Sequence, residues 1–304
     1  MIFIVKNKKI GFSHIKYKNI KNNLSIIHYY FSIIMKILQI KTIQCLILKS
    51  LFESLKEIVF DVNIYFTNKS IKIMKMDHSH SMVLLLELFS SQFELYKCGK
   101  QVNNQYIEYT EDNPLIVGLN VLYLFKLLKN LTNDDVLQLS IDDNNPGYLE
   151  IEIEKTCKNI ISKYNLSLIE LNEETLKPNE LNYNNIIYMN SSNFFKIIKE
   201  MNQYSKVLEI KYYNEQLTLS CKGDFTSQET IITSKSDTIQ FVKTNNQIYQ
   251  SYFKLKNLTS FMKFTNLSQK IKISFDNEYP LLLDFKIGNL GNINIYISQT
   301  SDKK

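Results

Sequence analysis

Two histidines follow an aspartate in the segment "MDHSH", which is the part of the chain best suited to chemistry. On a strand, His78 and His80 would share one face and could bind a metal ion, while Asp77 and His80 could form a general acid/base pair. A zinc site needs three or four ligands, however, and the other histidines, His14 and His28, lie in an N-terminal leader. A structural or partner-contacting role is therefore the favoured hypothesis for this segment.

The cysteines and glycines add no catalytic signature. Cys45, Cys98, Cys157 and Cys221 are scattered without a CxxC pair, so neither a zinc site nor a disulfide framework is predicted, and a reducing compartment is expected. There is no GxxxxGK[ST] phosphate loop and no Ser/His/Asp arrangement. The sequence predicts a protein that is not an enzyme, with no cofactor and no metal.

Charge is distributed unevenly along the 304 residues, whose formal net charge is +6. Residues 1–34 carry six lysines and no acid, so the rest of the chain is neutral. This leader is either a basic arm or, as we favour, sequence upstream of a start at Met35. Its apolar run "LSIIHYYFSII" is too short to span a membrane.

From Met35 the hydrophobic pattern predicts strand, helix, several strands, strand, helix and three strands. The same order of elements is then predicted a second time. Such a repeat indicates an α+β protein built from two similar domains. We predict domains at 35–170 and 186–299, a connecting loop at 171–185 around Pro178, and a tail at 300–304. The polar stretch from Asn103 to Asn113 is predicted to be a loop.

Each of the four predicted helices carries two lysines apart from its apolar stripe. These are Lys49 and Lys56, Lys126 and Lys129, Lys196 and Lys199, and Lys256 and Lys263. A solvated helix face would explain any single pair. If all four helices face one way, the neutral chain presents a basic surface suited to DNA phosphates, and lysines there carry no sequence information.

Three segments in order resemble the family of proliferating cell nuclear antigen, the eukaryotic and viral DNA polymerase sliding clamp. "MDHSH" is similar to a segment of that family's first domain, "LNEETLKPNE" to its interdomain loop, and "YPLLLDFKIGNLGNINIYIS" to its closing strands. The resemblance implies a clamp fold in a ring-forming homotrimer, with helices inside and β-sheets outside. It implies a processivity factor for DNA replication and repair that encircles double-stranded DNA without sequence preference.

The resemblance also implies site residues. The eight helix lysines would face DNA. The front pocket for partner peptides would use Met76, His80, Leu171, Leu176, Pro178, Pro280, Tyr296 and Ser298. Subunits would pair through Tyr164 to Leu171 and Gln228 to Ser234, using Tyr164, Leu166, Leu168, Thr230 and Ile232.

The implied partners are DNA polymerase and other motif-bearing enzymes, a separate ATP-driven clamp loader and further copies of the chain. The implied location is the nucleus, or a cytoplasmic replication site if a virus encodes the chain. Three departures from the family stand out: the tail "ISQTSDKK" lacks a small residue followed by proline, the Asn103 to Asn113 loop is longer, and Asn214 falls near the family's ubiquitin-accepting lysine. The alternatives are a checkpoint-type or monomeric clamp of the same fold, a structural β protein, or an enzyme using His80 and Asp77.

Overall fold

A computed structural model describes residues 4–5, 8–9, 36–77, 79–103, 105–172, 181–243 and 247–301. The predictions for His78, Leu176, Pro178 and most of the 1–34 leader lie outside these residues. None of the helices in the described ranges is long and apolar enough to cross a membrane.

The described part of the first half of the chain contains twelve strands and two α-helices. The strands are β1 (Ile4–Val5), β2 (Lys8–Lys9), β3 (Lys36–Thr42), β4 (Asp61–Phe66), β5 (Ser70–Met76), β6 (Met82–Phe89), β7 (Leu95–Val102), β8 (Gln105–Glu108), β9 (Leu115–Asn120), β10 (Asp135–Asp142), β11 (Asn145–Lys155) and β12 (Ile160–Ser167). The helices are α1 (Cys45–Leu55) and α2 (Val121–Leu128), with 3₁₀ turns at Ser90–Gln92 and Thr156–Lys158.

Among the residues that the structure describes, the second half contains nine strands and two α-helices. The strands are β13 (Asn185–Asn190), β14 (Val207–Tyr213), β15 (Gln216–Lys222), β16 (Ser227–Thr233), β17 (Ile239–Lys243), β18 (Tyr249–Lys254), β19 (Lys270–Phe275), β20 (Leu281–Ile287) and β21 (Gly291–Ile297). The helices are α3 (Ser191–Met201) and α4 (Leu255–Thr259), followed by a 3₁₀ helix at Met262–Asn266.

The two halves pair their strands in the same order. The order β12-β11-β10-β3-β7 in the first half corresponds to β21-β20-β19-β13-β17 in the second, and β6-β5-β4-β9 corresponds to β16-β15-β14-β18. In both halves an asparagine begins a helix: Asn120 accepts a hydrogen bond from the backbone N–H of Tyr123, and Asn190 accepts one from that of Asn193, each at 3.1 Å. The predicted twofold repeat is therefore present in the topology.

Strands β21 and β6 fuse the halves into one nine-stranded antiparallel sheet, with register from Gly291↔Leu88 to Ile297↔Met82. Alternate residues of these strands, such as Ile295 and Leu84, are buried on the helix side. Stacking of Phe285 from β20 on Phe195 of α3, at 6.1 Å between centroids, continues this core beneath the helices.

Three sequence predictions need correction. The polar stretch from Asn103 to Asn113 contains strand β8, because it extends β7 into a hairpin. The fourth helix is broken after Thr259, so Lys256 and Lys263 lie on different segments and do not share one helix face. The strand expected at Tyr164 to Leu171 spans Ile160–Ser167; two residues beyond its end the N–H of Ile169 is bound by the carbonyl of Gly118.

The close approach of β21 to β6 gives a test of the fused sheet. A Cβ at Gly291 would lie 1.9 Å from the carbonyl oxygen of Glu87, whereas a Cβ at Gly147 would meet nothing within 4 Å. Gly291→Ala is expected to lower the free energy of unfolding by about 2–4 kcal/mol, because the backbone must shift. Gly147→Ala, the matched control, should stay within about 0.5 kcal/mol of wild type in denaturant unfolding. Equal effects of the two changes would contradict the tight packing at this junction.

Candidate nucleic-acid interface and peptide pocket

The helices form one continuous layer over the sheet. Helix α1 packs against α2 on one side and against the 3₁₀ helix Met262–Asn266 on the other, and α3 contacts both α4 and that 3₁₀ helix. The hydroxyl of Ser54 in α1 donates to the carbonyl of Lys263 at 3.2 Å, so the layer crosses the boundary between the halves. The apolar stripes of the helices face the sheet, as Leu51 and Ile198 are buried, which leaves the polar faces to solvent.

Six of the eight predicted DNA-facing lysines are exposed, and five of the six belong to no ion pair in the described part of the chain. These five are Lys126, Lys129, Lys196, Lys199 and Lys256. The ammonium group of Lys126 lies 4.8 Å from the ring centroid of Tyr123, which leaves its charge available to an anion.

The other three lysines are held by protein groups. Lys49 is partly buried and donates to the carbonyl of Leu131 at 3.2 Å. Lys56 and Lys263 both bind Oε1 of Glu57, at 2.5 and 2.8 Å. Sequence reasoning placed all eight lysines in one class and overlooked Glu57, although a Lys-Glu pair at the end of the first helix could have indicated it.

The opposite face of the nine-stranded sheet carries an apolar strip. Met76, Val83, Tyr296 and Leu282 are successive cross-strand neighbours on β5, β6, β21 and β20. They alternate with residues of the helix side and so point away from the helices. The sequence indicated Met76 and Tyr296, but Val83 and Leu282 join them only through the register, which no local pattern reports.

Other predicted pocket residues lie around this strip. Nδ1 of His80 is 2.8 Å from Sδ of Met76, the backbone N–H of Ser298 donates to the carbonyl of Ser81, and the carbonyl of Pro280 accepts from the Tyr183 hydroxyl at 2.9 Å. The carbonyl of Leu171 accepts from Asn63 Nδ2 at 3.1 Å, which brings the start of the connecting loop onto the same outer face. The arrangement can bind a short apolar segment by burial.

The histidine segment forms a tight turn. The Asp77 carboxylate accepts from the backbone N–H groups of Ser81 and Met82, at 2.7 and 2.6 Å, and from the hydroxyl of Ser79. These hydrogen bonds hold the pKa of Asp77 below its usual range, although burial opposes them. His80 lies in the left-handed region at φ 53°, with its ring beside Met76 rather than at the carboxylate. Asp77 therefore shapes the turn that presents His80.

The described residues contain no group of three or more histidine, cysteine, aspartate or glutamate side chains able to hold an ion.

The two predicted subunit edges are both terminal strands of their sheets, β12 in the six-stranded sheet and β16 in the four-stranded one. A groove of about 440 Å³ lies between β16 and α3 and is lined by Lys196, Ile197, Thr230 and Ile232 among others. Ile232 is buried.

On β12, Tyr164 is exposed, while Leu166 and Leu168 pack partly against the core of their own chain. Of the predicted residues on this edge, Tyr164 and Leu166 lie within β12, and Leu168 directly follows its end.

A fused sheet shared by two similar α+β halves, with lysine-bearing helices on one face, defines a protein of the DNA-clamp fold. Residues 37–176 match the family description "Proliferating cell nuclear antigen, N-terminal domain", and residues 177–300 match "Proliferating cell nuclear antigen, C-terminal domain". The chain belongs to the proliferating cell nuclear antigen family. The family boundary falls within the predicted loop at 171–185, and the family is one of non-catalytic processivity factors.

Two relatives cover most of the chain. "Probable DNA polymerase sliding clamp 1" of Paramecium bursaria Chlorella virus 1 is 33% identical over 263 residues, which is 85% of this chain and 95% of the relative. "Proliferating cell nuclear antigen" of Chaetomium thermophilum is 27% identical over 261 residues, 84% of this chain and 95% of the relative. The predicted family and clamp fold are confirmed.

The turn at Asp77 gives a pH test. Because the pKa of Asp77 is lower in the folded chain, its contribution to stability is present above the pKa of the unfolded state and is lost as pH falls through the folded pKa. Asp77→Asn should lower the free energy of unfolding by about 1 kcal/mol at neutral pH. The difference from wild type should shrink below pH about 4 in denaturant titrations. The exposed Asp224→Asn serves as control, and a gap that stays constant with pH would refute this role for Asp77.

Proposed function

We propose that this chain is a DNA polymerase sliding clamp of which three copies close head to tail into a ring around duplex DNA. The sliding-clamp function is that of its family and of the relatives named above. The ring would tether a polymerase and other replication and repair enzymes, raising their effective concentration at the DNA.

The observation that carries the proposal is the internal repeat. Since β12 corresponds to β21 and β16 corresponds to β6, the two open edges are the counterparts of the strands that already pair within the chain. Pairing β12 of one copy with β16 of the next would repeat the β21–β6 junction between chains. Six similar domains would then be joined by six similar junctions, and these two free edges would be removed.

The register of β21 on β6, transferred to the open edges, sets Ile160 opposite Ile232. Lys163 then faces Glu229 on the outer side, and Tyr164 faces Gln228, whose Oε1 is buried without a partner among the described residues. Ile161 faces Ile231, and these two side chains are 56% and 53% exposed in the single chain. In this register a lysine of one edge faces a glutamate of the other, an isoleucine faces an isoleucine, and a tyrosine faces the glutamine whose side-chain oxygen lacks a described partner.

The lysine layer would line the hole of such a ring. Ammonium groups on flexible stems bind phosphates without reading bases, so affinity should be independent of sequence and fall with salt. The closed ring would keep the protein on the duplex, and the weak lysine–phosphate contacts would let it slide.

The apolar strip would bind short motifs of partner enzymes. Burial of a few hundred Å² at about 25 cal/mol per Å² gives several kcal/mol, and ordering a flexible peptide consumes much of it. Binding should therefore be weak and exchangeable. An ATP-driven loader would open the ring, and the protein would act in the nucleus or at a viral replication site.

The subunit junction is testable by exchanging charges. Lys163→Glu and Glu229→Lys are each expected to convert a trimer into smaller species, because like charges would face each other across the junction. The double exchange should restore the trimer, measured as mass in solution by light scattering. A wild-type chain that stays monomeric, or a double variant no better than the singles, would contradict the proposed register.

The lysine layer is testable by primer extension on a singly primed circle with a polymerase and a loader. Lys126→Glu combined with Lys196→Glu should shorten products several-fold, because two phosphate contacts become repulsive. Lys222→Glu combined with Lys286→Glu changes net charge equally on exposed residues of the outer sheet faces and should leave product length near wild type. Equal losses from both pairs would refute a specific DNA-facing layer.

A further inference from the structure

Glu57 lies among the lysines where α1 meets the 3₁₀ helix of the second half. Glu57 follows the C-terminus of α1, its side chain is 44% exposed, and a single oxygen, Oε1, binds both Lys56 and Lys263. Lys56 belongs to the first half of the chain and Lys263 to the 3₁₀ helix of the second. The three side chains form an ion triad across the domain boundary on the face proposed to meet DNA.

The triad is organised by its surroundings. The ammonium group of Lys56 lies 5.1 Å from the ring centroid of Phe125 in α2, and the Lys56 side chain is only 18% exposed. The Ser54 hydroxyl binds the backbone carbonyl of Lys263, which fixes the segment that carries the second lysine. The Lys263 side chain is 50% exposed, so it can exchange Glu57 for another anion.

Hydrogen bonds from Lys263 and Lys56 lower the pKa of Glu57 to about 2. The carboxylate therefore remains charged throughout the neutral range. Its charge offsets one of the two lysines, so the triad presents one net positive charge where the sequence suggested two.

We propose that Glu57 is a positioning residue that weakens the electrostatic attraction between the clamp and DNA at the domain junction. It competes with phosphates for Lys56 and Lys263, and so keeps two of the eight lysines from acting as full phosphate contacts. The five lysines without a described carboxylate partner then supply most of the attraction, and the clamp moves more freely along the duplex. This inference rests on the proposed sliding-clamp function and adds a residue, Glu57, that sets how strongly the clamp is attracted to DNA.

The chain supplies a matched control. Glu53 lies four residues earlier on α1, is exposed, and has no ion pair within the described part of the chain. Glu57→Gln, just beyond the C-terminus of α1, and Glu53→Gln, in the last turn of α1, change net charge equally. A difference between them reports release of the two lysines rather than the overall charge.

The experiment measures loaded clamps on a linear duplex by single-molecule tracking over a series of salt concentrations. Glu57→Gln is expected to lower the diffusion coefficient several-fold. It should also steepen the logarithmic salt dependence of dissociation from the ends, by up to about 0.9 for each additional phosphate that the released lysines neutralise. Glu53→Gln should match wild type. Equal behaviour of the two variants, or no change in either, overturns the proposal.

Two further measurements separate other causes. Lys263→Gln should have little effect on the salt dependence in wild type and a larger one in the Glu57→Gln background, which a purely structural role of Glu57 would not produce. Thermal unfolding and solution mass establish that the variants fold and assemble. If wild-type protein is not retained on circular DNA and released on linearisation, the sliding-clamp proposal itself fails, and the proposal for Glu57 falls with it.

Discussion

Pairing of β21 with β6 is the constraint on which the rest of the molecule depends. This ladder joins the last strand of the second half to a strand of the first, and it makes one nine-stranded sheet from two shorter ones. Leu86 and Ile293 meet on its helix side, both buried, and side chains of this kind contribute about 1.5–3 kcal/mol each on burial. A sheet shared in this way fixes the angle between the halves, and with it the positions of helices α1 to α4.

The fused sheet also separates two kinds of surface. Because strand side chains alternate, residues such as Phe285 point into the core beneath the helices, and their neighbours point to the opposite face. The lysines thus lie on one side and the apolar strip through Tyr296 on the other. The residues from Met35 onward carry no net charge. The chain can still present a basic surface, because lysines are concentrated on its helix face.

The chain contains no arginine, so its permanently charged basic side chains are all lysines. Ammonium groups bind anions as hydrated point charges and exchange partners readily, which suits contact with a moving phosphate backbone. The same property lets one carboxylate, Glu57, hold two of them at once. On our proposal, the affinity for DNA depends on how many lysines can contact phosphates and how many are held by carboxylates within the chain.

The sequence by itself determined the repeated order of α+β elements, the two connected halves, most strands and the helix positions. This was possible because the alternation of apolar and polar residues in strands and the periodicity of helices are local properties. The sequence also supplied the lysine pairs and singled out "MDHSH", but it considered that segment as a strand, whereas Asp77 and His80 lie in a turn between β5 and β6. It did not find strand β8, whose polar residues become a strand only by pairing with β7, nor the break after Thr259. Only the tertiary structure decided that Val83 and Leu282 join Tyr296, that Glu57 reaches Lys263 from the other half of the chain, and that β12 and β16 stay open. These features depend on strand register and on contacts between distant segments, which no window of sequence contains.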